Sequence, residues 1–171
     1  MRPYALGDDK TTMTIPSPAH VTSAPTYIFL GVPMTIVLSG AQTGGAFSLI
    51  EATMPPGGDG GLHMHTLEDE ALYLLEGELH VTVGEDSFVL KAGESYFGPR
   101  NVPHRLQNRG SVPARALLVN TPGTFDPFVE KAGVPLAAAA EIKGPPTPEQ
   151  IQHILQLAES FGVKVLAPPA I

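Results

Sequence analysis

The sequence contains no cysteine. Disulfides, thiolate zinc sites, iron–sulfur clusters and cysteine nucleophiles are therefore excluded, and any metal must be held by histidine and carboxylate. Charge is also sparse. Asp, Glu, Lys and Arg make up 16% of 171 residues, with 17 acidic against 10 basic side chains and a formal net charge of −7 with histidine neutral. That shortage of positive charge argues against capture of nucleic acid or of an anionic membrane. No apolar run approaches the length of a membrane span. The first twenty residues carry Arg2, Asp8, Asp9 and Lys10 and hold no stretch resembling a signal peptide, so a cytoplasmic protein is expected.

What the chain does have is apolar material and turn residues. Hydrophobic residues amount to 43%, enough for a sizeable core, and the length fits a single domain over residues 1–171. Glycine and proline, 18 of each, make up about a fifth of the chain, which suits many turns better than long helices and points to an all-β fold. Residues 1–26, polar and interrupted by Pro3, Pro16, Pro18 and Pro25, read as an N-terminal arm. From Tyr27 the texture becomes short apolar or alternating runs: 27–30, 34–38, 46–54, 62–67, 70–75, 78–83, 86–91, 95–98, 103–107 and 114–120. The clearest pair is 78–83 with 86–91. There Leu79, Val81 and Val83 alternate with Glu78, His80 and Thr82 before a turn at Gly84-Glu85. No crossover helix interrupts the series, so the sheet is expected to be mainly antiparallel, within a barrel spanning 27–122.

Residues 123–171 read as a C-terminal helical extension. A short helix is expected over 126–132, stopped by Gly133. A second begins at Thr147-Pro148-Glu149-Gln150, which has the form of a capping box with Pro at the first helical position. Ile151, Ile154, Leu155 and Ala158 fall on one face of that helix, and Gly162 ends it. Phe125 and Phe128 are expected to anchor these helices, or else to cap a cavity.

Three of the six histidines stand where they could serve one metal ion. His63 and His65 are two apart, and strand alternation puts both on one face. Glu70 follows His65 by five residues, a spacing that demands a bend over 66–69, and Glu70 then opens the next strand. His104 lies far along the chain and joins the others only if the sheet closes on itself. Glu68, Asp69, Glu76 and Glu78 read as a solvated acidic rim, with Glu68 or Asp69 as the substitutes for Glu70 in binding a metal. His20, His80 and His153 lack partners at ligand spacing and are assigned to the surface or the hairpin. Tyr73, Phe47, Phe88, Tyr96, Phe97 and Leu106 are expected to pack the barrel, some of them lining the cavity onto which the metal opens.

This spacing resembles a known family. Gly57, His63-Met64-His65, Glu70 and Gly77 match at every specified position the first motif of the cupin superfamily, small single-domain bacterial members akin to quercetin 2,3-dioxygenase included. The second motif corresponds to Gly93, Pro99, His104 and Asn108 within 93–108, as the first does within 57–77. One position departs: Asn101 stands where the family usually has glycine, and Asn tolerates the left-handed backbone better than most residues. The resemblance implies a double-stranded β-helix, the jelly-roll barrel, with His63, His65, Glu70 and His104 around one divalent metal ion per chain. Three neutral imidazoles and one carboxylate leave such a site at about +1, with open positions on an octahedral ion. Iron, manganese or nickel suits this donor set best; zinc and cobalt also fit it.

The function so implied is a metal-dependent dioxygenase acting with O₂ on a flavonol-like, catechol-like or β-diketone substrate bound as an oxyanion, with Glu70 as the catalytic base. Two other classes share the same residues. One is an oxygen-independent isomerase, lyase or decarboxylase, and the other is a small-molecule-binding cupin without catalysis. No helix-turn-helix pattern or basic stripe of a fused regulator is seen. A homodimer is expected, with no nucleic-acid or membrane partner.

Overall fold

The computed structural model describes residues 20–141 and 148–169. Thr147 of the capping box, and all of the N-terminal arm before His20, lie outside the described residues. The apolar runs form ten strands before the first helix: β1 (Thr26–Phe29), β2 (Val32–Leu38), β3 (Ser48–Met54), β4 (Leu62–His65), β5 (Asp69–Glu76), β6 (Glu78–Val83), β7 (Asp86–Lys91), β8 (Ser95–Gly98), β9 (His104–Gln107) and β10 (Ala114–Thr121). They are followed by α1 (Asp126–Ala132), β11 (Val134–Pro135), a 3₁₀ turn over Leu136–Glu141, α2 (Pro148–Ser160) and β12 (Val163–Ala167). Among the described residues all strand pairs are antiparallel, in two sheets of order β11-β1-β2-β3-β10-β5-β8 and β12-β4-β9-β6-β7. This is the all-β jelly roll that the sequence leads one to expect, with its two short C-terminal helices.

Alternation decides which residues fill the barrel. On β3, β5 and β10 every second residue is buried, so Ile50, Leu72, Leu74, Ala116 and Leu118 from one sheet meet Leu79, Val81, Leu90 and Leu106 from the other in a single core. The β6–β7 hairpin forms in the expected register, from Glu78↔Lys91 to Val83↔Asp86, with Gly84 at φ 59° in the turn. Gly77 is required outright. Its φ is 80°, and an added Cβ would stand 2.7 Å from the carbonyl oxygen of Pro113.

Two local expectations change. The strand expected over 62–67 ends at His65, because Thr66 turns away and donates through its N–H (2.7 Å) and its hydroxyl (2.9 Å) to the Gly162 carbonyl. The chain after α2 is also not purely helical. Val163 and Val165 pair with His65 and His63, making β12 the outer neighbour of β4. The tail thereby protects the edge of the strand that carries the histidine pair.

Candidate metal centre

Each element delivers its part of the site for a local reason. β4 presents His63 and His65 on its inner face. β9 begins at His104, whose Cα is in register with His63, so the sheet brings together residues 41 positions apart in sequence. The ring centroids lie 4.5 Å (His63–His104), 5.2 Å (His63–His65) and 5.2 Å (His65–His104) apart, and one potential ligand atom from each of the three lies within 4.8 Å of the others. Glu70 comes from the opposite sheet. Its Oε2 is 3.6 Å from His65 Nε2 and its Oε1 is 3.8 Å from His104 Nε2. The turn leading into β9 supports the arrangement: Asn101 adopts the left-handed φ of 64° that the departure from glycine calls for, and its N–H donates to the His65 carbonyl at 2.7 Å.

Hydrogen bonding orients all three rings. His63 Nδ1 meets the Gly61 carbonyl at 3.1 Å, His104 Nδ1 meets the Val102 carbonyl at 3.1 Å, and His65 Nδ1 meets Glu68 Oε1 at 2.5 Å. Each of these partners can only accept, so each Nδ1 carries a proton, and in the neutral ring Nε2 is left with its lone pair. His65 Nε2 and His104 Nε2 are buried with no hydrogen-bond partner at all. Leaving such an atom unsatisfied costs about 1–3 kcal/mol. Buried imidazole lone pairs beside a buried carboxylate are the donor set a divalent cation needs, so the residues present fit a metal ion.

The electrostatics of the metal-free site differ from group to group. Burial, then the neighbouring rings of His104 and His65, pull the His63 pKa down to about 3, so it stays neutral near pH 7. Burial alone would raise the Glu70 pKa. The charges of His104 and His65 and a hydrogen bond from Tyr96 outweigh it, and the carboxylate is held below its ordinary range. Burial also opposes protonation of His65, but its hydrogen bond to Glu68 and the Glu70 charge prevail and raise it. The Tyr96 phenol, pushed well up by burial and by Glu70, stays protonated and serves as donor to Glu70 Oε1.

A cavity of about 270 Å³ opens onto His63 and Glu70. Its walls are almost wholly apolar, with Met34, Met54, Leu106 and Leu118 from the barrel, Phe125 and Phe128 beside and within α1, and Ile151, Ile154, Leu155 and Ala158 from α2. Asp59, also at the wall, is engaged by Gly61 N–H, Gln107 and Arg105. Phe125 and Phe128 both anchor and line. Phe125 stands edge-on to His65 with centroids 5.1 Å apart, while Phe128 stacks on Phe161 at 5.7 Å.

Three expectations need correction. Glu68 is not part of a solvated rim: it is fully buried, tied to His65 and to the Thr124 hydroxyl. Tyr96 is not mere packing, since it holds Glu70. Tyr73, Phe88 and Phe97 are exposed by 47%, 40% and 59% and do not fill the barrel. Asp69 lies at the rim as expected, paired with Arg100 at 2.8 Å, and does not take the place of Glu70 among the histidines. Leu106 is buried as expected, Phe47 is half-buried, His20 and His153 are exposed, and His80 is half-buried on the outer side of β6. The role of α2 and of Glu68 was detectable only in part. The apolar face of α2 is visible in sequence, but not what it covers, and Glu68, three residues after His65, looks like any other acidic turn residue.

Residues 50–120 match the family model described as Cupin domain. The chain is 35% identical over 137 residues to the tetracenomycin polyketide synthase protein TcmJ of Streptomyces glaucescens, covering 78% of this chain and 87% of that one. It is 27% identical over 135 residues to quercetin 2,3-dioxygenase of Bacillus subtilis, covering 78% of this chain but 39% of that one. It spans 60% and 51% of the length of two other curated relatives, from Methanocaldococcus jannaschii and Escherichia coli. Among solved structures, a predicted oxalate decarboxylase from Thermotoga maritima superposes with a TM-score of 0.51 at 28% identity, over 57% of this chain and 89% of that one.

Proposed function

The chain belongs to the cupin superfamily, and from that premise we propose that it is a metal-dependent dioxygenase of a largely apolar phenolic or enolisable substrate, flavonol-like, catechol-like or a β-diketone. The observation that carries this reading is the junction of an apolar cavity of about 270 Å³ with His63 and Glu70 at its polar end. Rings fill the walls, and a single ionisable oxygen reaches the polar end. Among the described residues the cavity lining has no lysine or arginine. A phosphate or a second carboxylate would be desolvated there without a partner, which disfavours sugar phosphates and small dicarboxylates.

A metal ion, which His63, His65, His104 and Glu70 would hold, would supply positive charge to stabilise an ionised substrate oxygen. The chain's own residues do the rest. Glu70 accepts the proton from the substrate hydroxyl or enol, and Tyr96 keeps its Oε1 oriented throughout. Phe125 and Leu118 press the substrate rings, and the α2 face excludes water from the cavity.

A second reading has its own support. TcmJ, matched over most of its length, bears the name of a polyketide synthase protein, and an enolisable polyketide chain would suit the same cavity in ring closure or isomerisation without oxygen. Oxygen-electrode assays of the metal-loaded protein on flavonols, catechols and β-diketones separate the two. Stoichiometric O₂ uptake that Glu70→Gln abolishes while the metal is retained supports the dioxygenase. Conversion without O₂ uptake rejects it in favour of the second reading. We also propose a homodimer, for which light scattering of the full chain gives the test.

A further inference from the structure

One of the three imidazoles is oriented differently from the other two. His63 and His104 give their Nδ1 protons to backbone carbonyls, which are neutral and fixed by the fold. His65 gives its proton to a side chain, Glu68, that is itself fully buried. The two oxygens of that carboxylate are divided. Oε1 accepts from His65 Nδ1 at 2.5 Å, and Oε2 accepts from the Thr124 hydroxyl at 2.5 Å. Thr124 follows β10 and immediately precedes Phe125, whose ring rests edge-on against His65 and forms part of the cavity wall. His65 is thus held at its Nδ1 edge by Glu68 and contacted by Phe125, and Thr124, which anchors Glu68, adjoins Phe125 just before α1.

We propose that Glu68 is a positioning residue for the metal: it fixes His65 with its proton on Nδ1 and its Nε2 lone pair directed at the centre, and Thr124 anchors Glu68 in that setting. The inference rests on the metal reading above. A burial as complete as that of Glu68 is costly for a carboxylate unless charge and hydrogen bonds meet it, and a metal-bound imidazole provides both. The carboxylate in turn raises the basicity of the ring it holds. Because Thr124 adjoins Phe125, the same contact joins the cavity wall to one of the metal-binding rings.

The test uses the full-length protein with Zn(II), a diamagnetic probe, and measures its affinity by competition with a chromophoric chelator. Glu68→Ala is expected to weaken Zn(II) binding about 10- to 100-fold. Glu68→Gln keeps the shape and can still accept from Nδ1, so it should fall between that variant and the wild type. Thr124→Val, which does not touch His65, is expected to lose about two- to tenfold, the worth of one ordinary hydrogen bond. Proton NMR adds a readout that a purely structural role would not move. The Zn(II)-loaded wild type should show one exchange-protected, strongly downfield imidazole proton, absent in Glu68→Ala and shifted upfield in Glu68→Gln. Should Glu68→Ala not fold, the isosteric Gln variant and Thr124→Val still decide. Wild-type affinity and an unshifted downfield proton in folded Glu68→Gln would overturn the positioning role. A wild-type chain that takes up no Zn(II) would instead overturn the metal reading itself.

Discussion

Two parts of the barrel interior are equally buried and opposite in chemistry. Around Ile50, Leu74, Leu79 and Val81 every inward side chain is apolar, and removing it from water is favourable. At the other end of the same interior, His65, His104, Glu68 and Glu70 are just as deeply buried, with two imidazole nitrogens left without partners. Asn120, opposite Glu70 on β10, is fully buried too, and neither of its amide atoms has a partner. Equal burial therefore has opposite energetic consequences. One end of the barrel stabilises the fold, and the other is a local deficit that a bound cation would offset.

Substitutions should separate the two ends. The largest effect is expected from His63→Ala combined with His104→Ala. By elemental analysis the ion content should fall from about one per chain to near none, while the metal-free fold, relieved of the orphaned His104 Nε2, loses little stability. Leu74→Ala should do the reverse, costing about 2–5 kcal/mol in urea unfolding with ion stoichiometry unchanged in the folded protein. A double histidine variant that keeps its metal would erase the distinction, as would a Leu74 variant that loses it.

The pH dependence sharpens the same contrast. Burial holds the His63 pKa at about 3 against an ordinary histidine value of 6.5, so below pH 6.5 the unfolded chain binds a proton that the folded chain refuses. The stability of the metal-free protein should therefore fall as pH drops from 6.5 toward 3. Glu70, with its pKa held below 4.5, contributes stability present above 4.5 and lost on further acidification. His65, raised above 6.5, contributes stability present below 6.5 and lost as pH climbs through its folded value. Between 6.5 and 4.5 the slope belongs to His63 among these three. His63→Gln should flatten it in chelator-treated urea titrations, and an identical slope in variant and wild type would contradict the assignment.

A smaller loss is expected from Tyr96→Phe. It removes the donor to Glu70 and should cost about 1.5–3 kcal/mol, measured as unfolding free energy near pH 7, with packing preserved. Smallest of all, Asn101→Gly should change stability by less than about 1 kcal/mol, since φ 64° already lies where glycine is at ease.

Much of this was legible in the sequence because spacing carries it. The His-x-His pair, Glu70 and His104 follow from strand parity and from a sheet that closes, and the β6–β7 hairpin from alternation across Gly84. The exposure of Tyr73 and Phe97 follows from strand parity as well. Glu70, Leu72 and Leu74 share one face of β5, which sends Tyr73 to the other, and Gly98 with Tyr96 does the same to Phe97. Apolar character alone misleads where both faces of a strand carry it. Other features have no local signature. The partner of Glu68 lies 56 residues away in Thr124, and that of Tyr96 lies 26 residues away in Glu70. β12 is a short Val-Lys-Val-Leu-Ala run after a helix, and its membership in a sheet depends on the edge of β4 being open to receive it.

The most direct measurement is anomalous diffraction from crystals of the protein grown with Mn(II) or Co(II). The account predicts one anomalous peak per chain, enclosed by the Nε2 atoms of His63, His65 and His104 and by the Glu70 carboxylate. A saturated crystal in which those nitrogens face one another across a site without an ion would contradict it.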